Sequence, residues 1–191
     1  MNALESLVAE IIRNTGLQNL EIHTGSELEI PGYFRAEKKW DLLAVSNGRL
    51  VCALEFKSQV GPSFGNNFNN RTEEAVGSAV DIWTAFREGR FQGAPRPFVG
   101  YFFLLEDCEK VHKAVAMMEP HFKADGVFRE ASYAKRYEIL CRRLVLERYY
   151  DAACLTLASN DTPTRVSHPL PDLDFTRWVS ELCAGIARFK D

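Results

Sequence analysis

Paired cysteines are missing from this sequence. Its five cysteines, Cys52, Cys108, Cys141, Cys154 and Cys183, are odd in number, scattered, and never spaced CxxC. That excludes a disulfide framework and a thiolate zinc site, and it predicts reduced thiols in a cytoplasmic protein. No apolar run approaches the roughly 20 residues of a membrane span. The N-terminus, MNALESLVAEIIRN, carries charge among its apolar positions, unlike a signal peptide. Basic charge is not in excess either. The formal net charge is −3, so overall charge gives no support for a polyanionic partner. The histidines His23, His112, His121 and His168 have neither metal-ligand nor triad spacing, and no Gly-rich phosphate loop occurs.

What is present suits one domain, residues 1–191, with 46% hydrophobic and 26% charged residues. Leu4, Leu7, Val8, Ile11 and Ile12 repeat at helical spacing, predicting a helix over 3–15 that stops at Gly16. LEIHT (20–24) predicts a strand, and WDLLAVSNGRLVCALEFK (40–57) predicts two strands about Asn47-Gly48. A loop, SQVGPSFGNNFNN, follows, and then a helix over 72–89, with Asn70 and Glu73 spaced as a capping box. PFVGYFFLLE (97–106) reads as a buried central strand. Helices near 108–118 and 131–150, a strand at 152–159 and a helix over 173–189 complete the chain. The order α-β-β-β-α-β-α-α-β-α describes an α/β fold: a mixed central sheet with helices on both faces.

The stretch VCALEFKSQ (51–59) poses the chemical question, because an apolar strand ends in Glu55 and Lys57. Strict alternation puts Val51, Ala53, Glu55 and Lys57 on one face, and Leu50, Cys52, Leu54 and Phe56 on the other. The pair is either a strand end running into solvent or the working edge of a buried strand. Asp41 decides between them if it shares the face of Glu55. A two-residue Asn47-Gly48 turn pairs 46 with 49 and places 41 on the wrong face. A three-residue Ser46-Asn47-Gly48 loop, with a bulge at Gly48, pairs 45 with 49 and sets 41 diagonal to 55. The expectation is therefore the bulged loop. Two carboxylates, joined by the Phe56 carbonyl and waters, then make an all-oxygen site suited to Mg²⁺. Lys57 is placed to hold an attacking water or balance developing charge. Glu10 is a possible outer acidic group, or a solvent-facing helix residue.

Asp41, a thirteen-residue spacer and Glu55-Phe56-Lys57 resemble the PD-(D/E)xK nuclease superfamily, with Trp40-Asp41 in place of Pro-Asp. The longer stretch over 32–89, above all LEFKSQVGPSFGNNFNNRTEEA (54–75), resembles the XhoI family of type II restriction endonucleases, and SYAKRYEILCRRL (132–144) is also similar. The resemblance implies a restriction-endonuclease-like core of order αβββαβ with C-terminal helices. It implies a Mg²⁺-dependent homodimer cutting double-stranded DNA at the palindrome CTCGAG, with Asp41, Glu55 and Lys57 at the catalytic positions. A repair or structure-specific nuclease on the same fold, or an inactive DNA-binding domain, stay open as alternatives.

In that light Asn66, Asn67, Asn69, Asn70 and Arg71 become candidate base contacts, since amides pair with adenine and arginine with guanine. Without it, the same residues are a polar turn. Arg35, Lys38 and Lys39 are candidate phosphate contacts. So are the six basic residues of 129–148, which outnumber three acidic ones there. The Tyr133/Tyr137 face of the long helix is a candidate dimer face.

Overall fold

The computed structural model describes residues 2–91 and 93–190. Its centre is a six-stranded sheet of spatial order β1-β4-β5-β6-β7-β8. β1 (Leu20–Thr24), β4 (Leu42–Ser46) and β5 (Arg49–Gln59) run antiparallel in sequence along it. β5, β6 (Phe98–Glu106) and β7 (Ala152–Ala158) are parallel, and the short β8 (Val166–Ser167) pairs antiparallel with β7. Between β1 and β4 the chain makes a separate ribbon of β2 (Glu29–Pro31) and β3 (Glu37–Lys39). The sequence pattern does not predict this ribbon, because each strand is only three residues long, too short for a period of two to stand out.

Two hydrophobic layers cover the sheet. On one side lie α2 (Phe64–Arg87) and α4 (Tyr133–Leu146), whose Ala75, Ala79, Ile82, Tyr137, Leu140 and Leu144 pack on Leu43, Ala53, Val99, Tyr101 and Leu155. On the other lie α1 (Asn2–Arg13) and α5 (Phe175–Ala187), whose Val8, Ile12, Trp178, Leu182 and Ile186 pack on Leu42, Val51, Leu54, Phe98 and Cys154. Strands covered on both faces read as continuous apolar runs, which is why β6 was legible. All five cysteines are free, with Cys52, Cys141 and Cys154 buried. Among the described residues no helix is long and apolar enough to cross a membrane.

Three expectations are corrected. The helix expected near 108–118 is one turn, α3 (Glu109–His112), followed by irregular chain and a 3₁₀ turn at Gly126–Phe128. The loop expected up to residue 70 already contains the first two turns of α2, which begins at Phe64. Phe64 and Phe68, one helical turn apart, pack on Tyr133 and Tyr137, so tertiary contact overrides the weak helix propensity of the asparagines. Asn70 is therefore inside the helix, not its cap; Ser63 holds the N-cap position without a side-chain bond.

The third concerns the β4–β5 hairpin. Ser46 pairs with Arg49 across a two-residue turn in which Asn47 (φ 52°) and Gly48 (φ 70°) are both left-handed. Ser46 stays in the strand, 2% exposed, donating its hydroxyl to the Gln18 carbonyl at 2.8 Å. The bulge lies deeper. Val45 pairs with Leu50 and Ala44 with Cys52, so Val51 is the extra residue. Val51 and Cys52 consequently both face α1 and α5, while Leu50 joins Ala53 on the α2 side.

Candidate active site

Beyond the bulge the register is Leu43 to Ala53 and Leu42 to Leu54, with Leu43 and Ala53 both against α2. Asp41 is one step further, its N–H donating to the Leu54 carbonyl at 3.2 Å. Asp41 Oδ2 accepts from the Phe56 N–H at 2.7 Å and lies 3.5 Å from Lys57 Nζ. The same ammonium is 2.8 Å from Glu55 Oε1. Both carboxylates thus converge on one positive point.

Glu55 is 2% exposed and fully engaged. Lys38, from β3, places Nζ 3.3 Å from Oε1, and the Tyr150 hydroxyl is 2.9 Å from Oε2. That hydroxyl is also 3.1 Å from the Ala75 carbonyl of α2. Burial pushes the Glu55 carboxyl upward, but the Lys38 and Lys57 charges and the hydrogen bonds from Lys57 and Tyr150 outweigh it and hold the group below its ordinary range. Burial also works against the Lys57 ammonium, yet Glu55 and Asp41 together raise it above its usual value. For Lys38 burial prevails over the attraction of Glu55, and its value is lowered.

Trp40 sets this geometry. It is 1% exposed, packed in the α2-side core, and donates its backbone N–H to the Leu28 carbonyl at 2.9 Å. With the junction of ribbon and sheet so anchored, Lys38 lies over the Trp40 ring, 4.2 Å from its centroid. Lys38, expected on a phosphate, therefore sits against a carboxylate. Lys39 is exposed beside it, and Arg35 ion-pairs with Asp81 of α2 at 2.6 Å.

A cleft of about 500 Å³ opens over Glu55 between ribbon and α2. Its walls carry the cations Arg35, Lys38, Lys39, Lys57 and Arg71 against the carboxylates Glu37, Glu55, Glu73 and Glu74, with Gly77 at the helix wall. Asn66, Asn69, Asn70 and Glu73 are exposed at positions i, i+3, i+4 and i+7 of α2, forming one stripe, whereas Asn67 is half-buried. Arg71 pairs with Glu74 at 2.5 Å. Glu10 is not brought to the site: it is exposed on α1, which covers the opposite face of the sheet.

Two further placements differ from expectation. Tyr137 is fully buried and stacked on Phe103 at 4.1 Å, and Tyr133 stacks on Phe64, so that face of α4 is core. The basic residues of 129–148 are largely taken up internally. Lys135 pairs with Glu138, Arg142 with Asp172 and Arg143 with Asp125, while Arg136 donates to the Val115 carbonyl.

Against this geometry, the family model described as restriction endonuclease XhoI matches residues 1–168. The chain belongs to the XhoI family of restriction endonucleases. Within the family it is 49% identical to the type II restriction enzyme BstVI of Geobacillus stearothermophilus over 194 residues, covering 98% of this chain and 87% of the relative. It is 57% identical to AbrI of Azospirillum brasilense over 124 residues (64% and 56%) and 47% identical to XhoI of Xanthomonas vasicola over 151 residues (78% and 61%), both type II restriction enzymes. No solved structure gives a significant match.

Among the described residues no group of three or more His, Cys, Asp or Glu side chains gathers to hold a metal. The Lys57 ammonium, shared by Asp41 and Glu55, shows where two carboxylate oxygens accept one cation, and this donor set fits a hard divalent ion.

Proposed function

We propose that the chain is a single-domain, Mg²⁺-dependent type II endonuclease of the PD-(D/E)xK kind, acting as a homodimer on double-stranded DNA at CTCGAG. The observation that carries this reading is the convergence of Asp41 and Glu55 on the Lys57 ammonium. The element order α1-β1-β4-β5-α2-β6, with the ribbon set aside, supports the αβββαβ core. In this reading Asp41 and Glu55, with the Phe56 carbonyl, hold Mg²⁺. Bound there, the ion supplies a more acidic water and stabilises charge on the phosphoryl oxygen.

The chain's own groups do the rest. Tyr150 fixes Glu55, so the carboxylate meets its cation without losing rotamer freedom at that moment. Lys57 stays protonated and orients the attacking water while balancing charge that develops on the phosphate. Lys38 supplies a second ammonium on the ribbon side of the same carboxylate. The stripe of Asn66, Asn69 and Asn70 presents amides to base edges in the major groove, flanked by Arg71, with Asn67 supporting from within the helix. Lys39 and Arg35 meet the backbone phosphates. A palindromic target is read by two copies related by a two-fold axis.

Digestion of plasmids with and without CTCGAG, in Mg²⁺ and in EDTA, tests the reading. Cutting confined to the CTCGAG plasmid and abolished by EDTA is expected, and Glu55→Ala is expected to abolish it with the fold intact. Site-independent nicking would point to a structure-specific nuclease, and binding without cutting to an inactive domain.

A further inference from the structure

We propose that the tip of the β2–β3 ribbon, Tyr33 and Phe34, is a rigid aromatic wedge that packs against bases of duplex DNA beside the cleft. This rests on the reading of the cleft as a DNA-cutting site. A two-stranded ribbon is marginal by itself, yet this one is clamped at its end. Asp81 of α2, 2% exposed, accepts from the Tyr33 N–H at 2.7 Å, the Phe34 N–H at 2.9 Å and Arg35 Nε at 2.6 Å. Gly32 completes the clamp: a Cβ there would lie 2.7 Å from the Arg35 carbonyl and 2.8 Å from Asp81 Oδ2. What this buried, charge-assisted clamp holds in place is two rings in water. Phe34 is 68% exposed and Tyr33 46%, edge to face with centroids 5.0 Å apart.

Exposed aromatics fixed by a buried carboxylate point to a surface that is covered in use. Charge identifies what covers it. Among the described residues, Arg35 and Arg90 are the charged ones that line the groove around the tip, about 610 Å³. Arg35 also lines the cleft over Glu55, so tip and cleft form one continuous surface. A partner that is anionic along its edge and apolar in its interior, running from the cleft past Arg35, is duplex DNA. An apolar wedge of this kind unstacks or props open a base step.

The test uses the full chain and duplexes carrying CTCGAG with 2-aminopurine at successive positions, with Ca²⁺ in place of Mg²⁺ so that binding is read without cleavage. With wild-type protein one position in or next to the site should brighten. Phe34→Ala should remove that signal and weaken binding about tenfold, as loss of one base–aromatic contact does, while Phe34→Trp restores both. Affinity for Phe34→Ala within about twofold of wild type, well under the loss of one such contact, would overturn the wedge. So would a weakening accompanied by a smaller assembly in sedimentation without DNA, which would assign the tip to a protein interface. Plasmid cutting by the wild type in Mg²⁺, measured alongside, reports on the nuclease reading separately.

Discussion

The Tyr150 hydroxyl reaches Glu55 Oε2 at 2.9 Å across 95 residues of sequence, joining the loop before β7 to the middle of β5 inside the protein. Tyr150 is 1% exposed, and its hydroxyl also lies against the Ala75 carbonyl of α2. Removing that hydroxyl leaves the buried carboxylate oxygen, its nearer acceptor, one donor short. Tyr150→Phe should therefore lose about 1–2 kcal/mol in urea unfolding. Calorimetric titration with Mn²⁺ should show about tenfold weaker binding, as supporting groups around metal ligands typically do. Unchanged metal affinity would show that Tyr150 supports the fold alone.

Acid should act through Glu55. Its folded-state value lies below the ordinary one, so the folded protein holds fewer protons than the unfolded chain as pH falls through that window. The stability it contributes is complete above the ordinary carboxyl value of about 4.3 and is lost as pH drops through the folded value. Glu55→Gln, measured in EDTA, should be about 1.5–3 kcal/mol less stable than wild type at neutral pH, because Lys38 and Lys57 lose a charged hydrogen-bond acceptor. The gap should narrow as the wild type is protonated. A gap constant from pH 7 to about 3 would contradict the depressed value.

Asp81→Asn should cost about 1–3 kcal/mol by removing a buried charged acceptor from three donors. The effect should be local first. Hydrogen exchange at the Tyr33 and Phe34 amides should accelerate well before that of β5 or β6. Equal acceleration in ribbon and sheet would mean that the ribbon unfolds only with the core.

Gly77 lies within α2 and lines the cleft, and a Cβ there would meet nothing within 4 Å. Gly77→Ala should raise stability by about 0.5–1 kcal/mol through helix propensity. The added methyl projects into the cleft, so cutting of plasmid should slow. Full activity in the more stable variant would place the DNA elsewhere.

The sequence made the strands of the sheet legible wherever burial on both faces produced unbroken apolar runs, as in β6 and β7. It suggested Asp41, Glu55 and Lys57 as a group, but through a bulge at Gly48, whereas the register that brings them together comes from the extra residue at Val51. The α2 start was lost because Asn and Gly mark loops locally, and the Phe64–Phe68 spacing that outvoted them was weak beside five polar neighbours. Tyr150 carried no local signal whatever, since its partner is brought to it only by the parallel sheet. Lys38 reads locally as a phosphate contact, because nothing in the three residues of β3 reveals that the ribbon sets its ammonium against Glu55.

The extra residue at Val51 makes the location of the site a question of parity. In an antiparallel hairpin each residue added to either strand exchanges inside for outside in everything beyond it. The Asn-Gly turn alone gives the wrong parity, and Val51 restores it ten residues after Asp41 and four before Glu55. Turn and site are thereby arithmetically linked though physically apart. Deleting Val51 should leave a regular hairpin with Asp41 still on the face of Glu55, whereas drawing Val51 into regular pairing would send the two carboxylates to opposite faces.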